Sequence, residues 1–180
     1  LVEHPPSADI QAEKEASSPT QNEVILVGRM EHINELESLL EAQKTIMLSG
    51  LSGIGKTSVA QAMVHRAEVD GTSVHSAVVN EFSDMRDVVH QWFPEIDPLP
   101  HDVEALTALL TPSPLNRLFV LDDVHLVSSR HSAGITSMLK DLESKAPISL
   151  LLVGRTPLPF AFECESYQLP ALNSKDAAEL

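Results

Sequence analysis

The sequence has a single cysteine, Cys164, and no group of cysteines and histidines with the spacing of metal ligands. An internal disulfide framework is therefore excluded, and a reducing compartment is expected. Long hydrophobic runs are also missing, because the best apolar run, residues 148–153, has only the length of a strand. A membrane span needs roughly 18–20 apolar residues. We therefore predict a cytoplasmic protein that does not cross a membrane.

Basic residues are scarce, with 12 lysines and arginines against 26 aspartates and glutamates, so the formal net charge is −14. A surface of this sign opposes non-specific binding to nucleic acid and to anionic lipid. We expect no direct contact with nucleic acid by this segment. With 43% hydrophobic residues among 180, the chain has enough apolar side chains for the core of about one domain.

Residues 1–22 have few large apolar side chains and are rich in proline, serine, glutamate and glutamine. Such a segment cannot offset the entropy lost on ordering, which predicts a disordered linker. The ordered domain is then expected over residues 23–180. Because the chain begins with Leu1 rather than methionine and stops inside a predicted helix, we expect a part of a larger protein.

Short apolar runs alternate with segments that have apolar residues at helical spacing. The predicted strands are residues 45–50, 73–80, 117–125, 148–156 and 167–169, and the predicted helices are 28–43, 56–69, 83–93, 102–110, 132–145 and one from near Ser174. Strands that are apolar on both faces and separated by helices indicate a parallel sheet covered by helices. The predicted fold class is α/β, with a doubly wound parallel sheet.

Three of the seven glycines lie within six positions, between the first predicted strand and the next helix. The stretch GLSGIGKT fits the phosphate-loop pattern G-x-x-x-x-G-K-[ST] in the strand–helix context that the pattern requires. Glycines let backbone N–H groups face phosphate oxygens, and the helix N-terminus adds its positive dipole end. The lysine would contact the β- and γ-phosphates, and the threonine hydroxyl would bind Mg²⁺. The candidate nucleotide-binding residues of this loop are Gly50, Ser52, Gly53, Ile54, Gly55, Lys56, Thr57 and Ser58.

Two aspartates, Asp122 and Asp123, follow the apolar run of the third predicted strand. The carboxyl ends of the strands are where α/β sheets bind ligands. We assign Asp122 to Mg²⁺, through water, and Asp123 to orienting or deprotonating the attacking water. Adjacent aspartates can also be a solvated strand end, but the neighbouring phosphate loop favours the catalytic interpretation. His125 has no role in this interpretation.

Together these motifs resemble the nucleotide-binding domain of signal-transduction ATPases with numerous domains (STAND), especially the NB-ARC type of apoptotic and plant immune receptors. The likeness covers Val24 to Leu180 and is carried by the stretches ILVGRMEHINELESLL, LSGLSGIGKTSVAQAM, LFVLDDVH, SLLLVGRTP and YQLPALNSKDAAEL. It implies a P-loop NTPase fold with five parallel strands in the order 5-1-4-3-2. It also implies ATP or ADP with Mg²⁺ as ligands, and slow hydrolysis in the full-length protein.

The resemblance suggests further site residues. Val27 and Arg29 would lie against adenine and ribose, with Gly28 allowing a close turn between them; a helix N-terminus with an exposed arginine is the alternative. Arg155, at the end of the fourth strand, would read the γ-phosphate and join Lys56 and Asp123 as a catalytic residue, unless it is simply a surface arginine. Where the family usually has T-T-R or S-R, this sequence has Val153-Gly154-Arg155.

The function implied is an adenine-nucleotide switch in defence, cell-death or regulatory signalling. Its partners would be C-terminal domains of the same protein, including lid and winged-helix parts beyond Leu180, and further copies on activation. A nucleotide-dependent scaffold without useful turnover and a remodelling ATPase of the AAA type remain alternatives. A small GTPase is disfavoured, since neither D-x-x-G nor N-K-x-D follows in the right place, and the acidic composition disfavours a metabolite kinase.

Overall fold

The computed structural model of the chain describes residues 28–101, 103–110, 116–144 and 148–172. The predicted linker, Val27 and the predicted helix from near Ser174 lie outside these ranges. The helices are α1 (Met30–Gln43), α2 (Lys56–Val69), α3 (Met85–Trp92), α4 (Val103–Leu109) and α5 (Ser129–Glu143). The strands are β1 (Thr45–Ser49), β2 (Ser73–Val78), β3 (Arg117–Asp122), β4 (Ile148–Gly154) and β5 (Glu165–Gln168).

All five strands form one sheet in the order β2-β3-β4-β1-β5, with every neighbouring pair parallel. The α/β P-loop fold class and the strand order inferred from the resemblance are therefore confirmed. The register places Gly154 at the end of β4 beside Ser49 at the end of β1. Strands β1, β3 and β4 therefore deliver their carboxyl ends to the same edge of the sheet.

The three central strands are almost entirely buried, whereas most residues of β2 and β5 are partly or fully exposed. The expectation of strands that are apolar on both faces therefore holds only for the centre. An edge strand has a neighbour on one side only and less helix above and below it. Exposed positions in β2 and β5 follow from their places at the two edges.

Helices cover both faces of the sheet. Successive side chains of a strand point to opposite faces, and in β3 Phe119 and Leu121 belong to one core cluster while Leu118 and Val120 belong to the other. The first cluster includes residues of α3, α4 and α5, and the second includes residues of α1 and α2. Of the helices that the structure describes, none combines the length and the apolar character that a bilayer crossing would require.

The chain turns sharply at the end of β3, where the sequence predicted a longer strand. Asp123 has φ 58° and ψ 29°, in the left-handed region, and a 3₁₀ helix follows at Val124–Leu126. A strand cannot continue through this backbone conformation. Helix α5 then begins at Ser129, three residues before its predicted start. The consequence is a tight turn that carries the second aspartate over the carboxyl edge of the sheet.

Candidate functional site

The loop between β1 and α2 has the backbone that its glycines allow. Gly50, Gly53 and Gly55 all have positive φ angles, of 154°, 74° and 95°, and Gly55 is the N-cap of α2. A Cβ on Gly50 would lie 3.2 Å from the carbonyl oxygen of Leu169 and 3.3 Å from Cγ2 of Ile54. A side chain at Gly50 would therefore need its neighbours to shift by a few tenths of an ångström, in a backbone conformation that L side chains rarely adopt. Open backbone at these three glycines is what the phosphate-loop pattern predicts.

Lys56, the first residue of α2, folds back over this loop. Its Nζ donates hydrogen bonds to the carbonyl oxygens of Gly50 at 3.1 Å and Leu51 at 2.8 Å. The ammonium group is thus held above the loop by backbone oxygens. It stands beside the N-terminus of a 14-residue helix, where the dipole also favours an anion.

Asp122 is connected to the phosphate loop by a direct hydrogen bond. The Thr57 hydroxyl donates to Oδ2 of Asp122 at 2.8 Å, and the backbone N–H of Asp123 donates to Oδ1 at 2.7 Å. Asp122 is buried, with 8% of its surface exposed. Both carboxylate oxygens are therefore oriented before any ligand binds, and the predicted pair of Mg²⁺ contacts lies in one place.

These residues fit the chemistry of Mg²⁺, which is commonly held by one or two carboxylates together with water and substrate phosphates. A hydroxyl and a carboxylate in contact supply oxygen ligands of this kind. Within the described ranges, no group of three or more histidine, cysteine, aspartate or glutamate side chains could hold a metal ion by itself. The site therefore suits a cation that arrives with phosphate.

Asp123 lies at the solvent-exposed edge of the candidate site, and 44% of its side chain is exposed. The left-handed turn at this residue directs it away from the sheet ladder that ends at Asp122. Its carboxylate is accessible to water, as the predicted role requires. Nδ1 of His125 lies 3.9 Å from its Oδ1, which is too far for a hydrogen bond.

His125 is the residue of this site that the sequence did not reveal. Its Nδ1 is buried and has no hydrogen-bond partner among the described residues. Burial lowers the pKa of His125, the positive charges of Arg155 and Lys56 lower it further, and the carboxylates of Asp123 and Asp122 partly oppose that shift. The imidazole is therefore neutral at neutral pH. These four charged residues, the predicted catalytic and metal-binding ones, all lie within electrostatic range of one ring.

Gly154 makes room for the imidazole ring of His125. In the sequence, this glycine was the signal that could have pointed to His125. A Cβ on Gly154 would lie 3.0 Å from Cγ2 of Val124 and 3.2 Å from both the backbone nitrogen and Nδ1 of His125. The absence of a side chain at Gly154 thus leaves room for the turn after β3. Arg155 follows directly and is exposed at the end of β4.

Arg29 is buried, so the alternative of an exposed arginine at the start of the helix is wrong. It is only 3% exposed, and its guanidinium donates to the carbonyl oxygens of Pro170 at 2.7 Å and Ile54 at 2.9 Å. Gly28 precedes it in the turn before α1. Contact of Gly28, Arg29 or Val27 with adenine or ribose therefore stays a prediction, and Val27 lies outside the described residues.

Comparison with known proteins gives a family match. The profile of the AAA domain family matches residues 39–162, which is more than half of the chain. The match includes the phosphate loop, both aspartates and Arg155. No match was found among curated protein sequences. A P-loop domain of the AAA type implies binding of ATP and Mg²⁺ in general.

Several solved structures share the fold at low sequence identity. One described as a DNA replication initiation factor has a TM-score of 0.55 at 18% identity, over 83% of this chain and 48% of its own. The Walker-type ATPase PABY2304 of Pyrococcus abyssi has a TM-score of 0.59 at 13% identity, over 84% and 55%. A chain from the structure of Drosophila ORC bound to DNA has 0.54 at 16%, over 88% and 99%. This chain thus spans about half the length of the first two.

Replacing Gly154 by alanine tests the packing between β4 and the turn after β3. We expect Gly154→Ala to lower the free energy of unfolding by about 1–3 kcal/mol, the usual cost of overpacking. Gly134→Ala in α5 is the matched control, because its Cβ would meet only Cβ of Met85 at 3.9 Å. That change should stabilise by up to about 1 kcal/mol through helix propensity. Urea unfolding measures both, and equal stability of the two variants would show that the turn moves aside freely.

Proposed function

Since this chain belongs to the AAA domain family, we propose that it binds ATP or ADP with Mg²⁺ and hydrolyses ATP slowly as part of a larger protein. The observation that carries this proposal is the hydrogen bond between Thr57 and Asp122. It joins the phosphate loop to the end of β3. A glycine-rich helix cap alone would not need a buried carboxylate at its first turn.

Each charged residue of the site then has a distinct task. Lys56 would exchange its backbone carbonyl partners for the β- and γ-phosphates, and Arg155 would contact the γ-phosphate from the end of β4. Thr57 and, through water, Asp122 would hold Mg²⁺, which would supply positive charge against the phosphate oxygens. Asp123, accessible to solvent, would accept a hydrogen bond or a proton from the attacking water.

The family match favours an ATPase of the AAA type over a switch of the NB-ARC type. The NB-ARC hypothesis rests on sequence motifs that the two groups share around the phosphate loop, and a role in defence or cell death would need support from other parts of the protein. A scaffold that binds nucleotide without turnover is the other candidate, and Asp123 separates it from the ATPase. A turn that presents a carboxylate to water favours hydrolysis.

Contacts with other domains or with further copies of the chain are supported by the surface around the site. Leu51 in the phosphate loop, Phe82 after β2 and Leu126 after β3 are large, exposed apolar side chains at the carboxyl edge of the sheet. A partner covering this edge would exclude water from the nucleotide. Two of the similar structures are named for DNA replication initiation or for a complex with DNA, but the charge of −14 opposes DNA binding by this segment.

Lys56→Ala should abolish most of the stabilisation that nucleotide gives to the protein. A ligand at ~1,000 times its dissociation constant adds roughly 4 kcal/mol to the free energy of unfolding, and the phosphate contacts of Lys56 supply much of the affinity. Thermal melts with and without Mg²⁺-ATP measure this effect. Lys140→Ala, which removes an equal charge from the exposed face of α5, is the control. Equal nucleotide effects in Lys56→Ala and the wild-type protein would contradict the assignment of the phosphate loop.

The two aspartates should be separable by substitution. Asp122→Asn removes the charge beside Thr57 and should weaken Mg²⁺-nucleotide binding. Asp123→Asn should leave binding unchanged and slow single-turnover hydrolysis by about a hundredfold or more, the usual contribution of a general base. Calorimetric titration and single-turnover assays distinguish the two effects. Unchanged hydrolysis in Asp123→Asn would refute the role in water positioning, and a wild-type protein that binds but never hydrolyses would favour the scaffold.

A further inference from the structure

Arg29 joins three parts of the chain that are far apart in sequence. It precedes α1, and its guanidinium donates hydrogen bonds to Ile54 in the phosphate loop and to Pro170 after β5. An arginine that is 97% buried is rare unless its donors are paired. The planar guanidinium can hold both oxygens in one fixed geometry, because its N–H groups form a rigid fork.

The bond to Ile54 has a direct consequence for the next residue. The carbonyl of Ile54 and the N–H of Gly55 belong to one planar trans peptide unit, so they point in opposite directions. Holding the oxygen therefore fixes the direction of the N–H. Gly55 has φ 95°, and among the described residues no atom outside its chain neighbours lies within 4 Å of where its Cβ would stand, so side-chain packing does not hold this peptide in place.

We propose that Arg29 is a positioning residue for the phosphate loop, and that it acts on phosphate through the Ile54–Gly55 peptide rather than on the base. In this arrangement the guanidinium draws the Ile54 carbonyl outward and leaves the Gly55 N–H directed at a bound phosphate. The inference deepens the proposed function and rests on it. It replaces the expectation that Arg29 lies against adenine and ribose.

A second link between α1 and β5 provides a matched control. The hydroxyl of Tyr167 donates to Glu35 at 2.7 Å and is 2.8 Å from Nδ1 of His32. Burial, and after it this hydrogen bond to Glu35, raises the pKa of Tyr167 to about 12. Both links join α1, or the residue before it, to β5 or the residues after it. The link through Arg29 also includes the phosphate loop, and the link through Tyr167 does not. Loosening α1 from β5 can therefore be separated from releasing the loop.

The test compares ligands that share phosphates and differ in the base. ATP, GTP and inorganic tripolyphosphate, each with Mg²⁺, are titrated into the wild-type 180-residue chain, Arg29→Met, Arg29→Lys and Tyr167→Phe. We expect Arg29→Met to weaken all three ligands by the same factor, about tenfold, the effect of one misdirected phosphate hydrogen bond. Arg29→Lys should lose less, since one donor can still reach Ile54. Tyr167→Phe should bind like the wild-type protein.

Other binding results would contradict either the role of Arg29 or the nucleotide site itself. Loss confined to ATP, with tripolyphosphate unaffected, would overturn the proposal in favour of a base contact. Unchanged binding in both Arg29 variants, or an equal loss in Tyr167→Phe, would also overturn it. If circular dichroism shows that Arg29→Met does not fold, the binding measured with Arg29→Lys decides the question. Failure of both variants to fold would overturn the proposal and make Arg29 a structural residue only. Absence of binding by the wild-type chain would instead contradict the nucleotide site itself.

Discussion

The position of β4 between β1 and β3 is the constraint on which the site depends. The phosphate loop follows β1, and the two aspartates lie at the end of β3. Two strands that are not neighbours in the sheet must therefore supply the residues of one candidate site. Thr57 completes the connection by reaching Asp122 across the end of β4. Because β4 occupies the middle, its own carboxyl end carries Arg155 to the same place. Parallel pairing therefore brings the guanidinium of Arg155, the hydroxyl of Thr57 and the two carboxylates to one edge of the sheet, and no long loop is needed.

The sequence predicts best what is local. Gly50 to Thr57 form one short motif whose residues are predicted to act on the same phosphate, so spacing alone is enough to predict them. The central strands are recognisable for a similar reason, since residues such as Leu121 and Leu152 need only a continuous apolar run. The order of the strands came from the resemblance instead. Spacing does not determine which strand inserts between which others, because that depends on contacts among all of them.

The contacts of Arg29 and the place of His125 are beyond what local reasoning can reach. The partner of Arg29 after β5 is 141 residues away, and nothing in the stretch Val27-Gly28-Arg29 tells whether the arginine faces a base, solvent or a carbonyl. His125 enters the site because Asp123 adopts a left-handed conformation that a non-glycine residue rarely takes. The choice between the AAA and NB-ARC groups failed for a different reason. Phosphate chemistry imposes the same residues on both, so the shared motifs identify the reaction centre better than the lineage.

The bridge through Arg29 also couples the phosphate loop to the chain after β5. The guanidinium is rigid, and it links the Ile54 carbonyl to the Pro170 carbonyl through a single side chain. The two segments therefore cannot separate without breaking one of these two hydrogen bonds. Breaking either would leave part of a buried guanidinium unpaired, which costs about 1–3 kcal/mol or more.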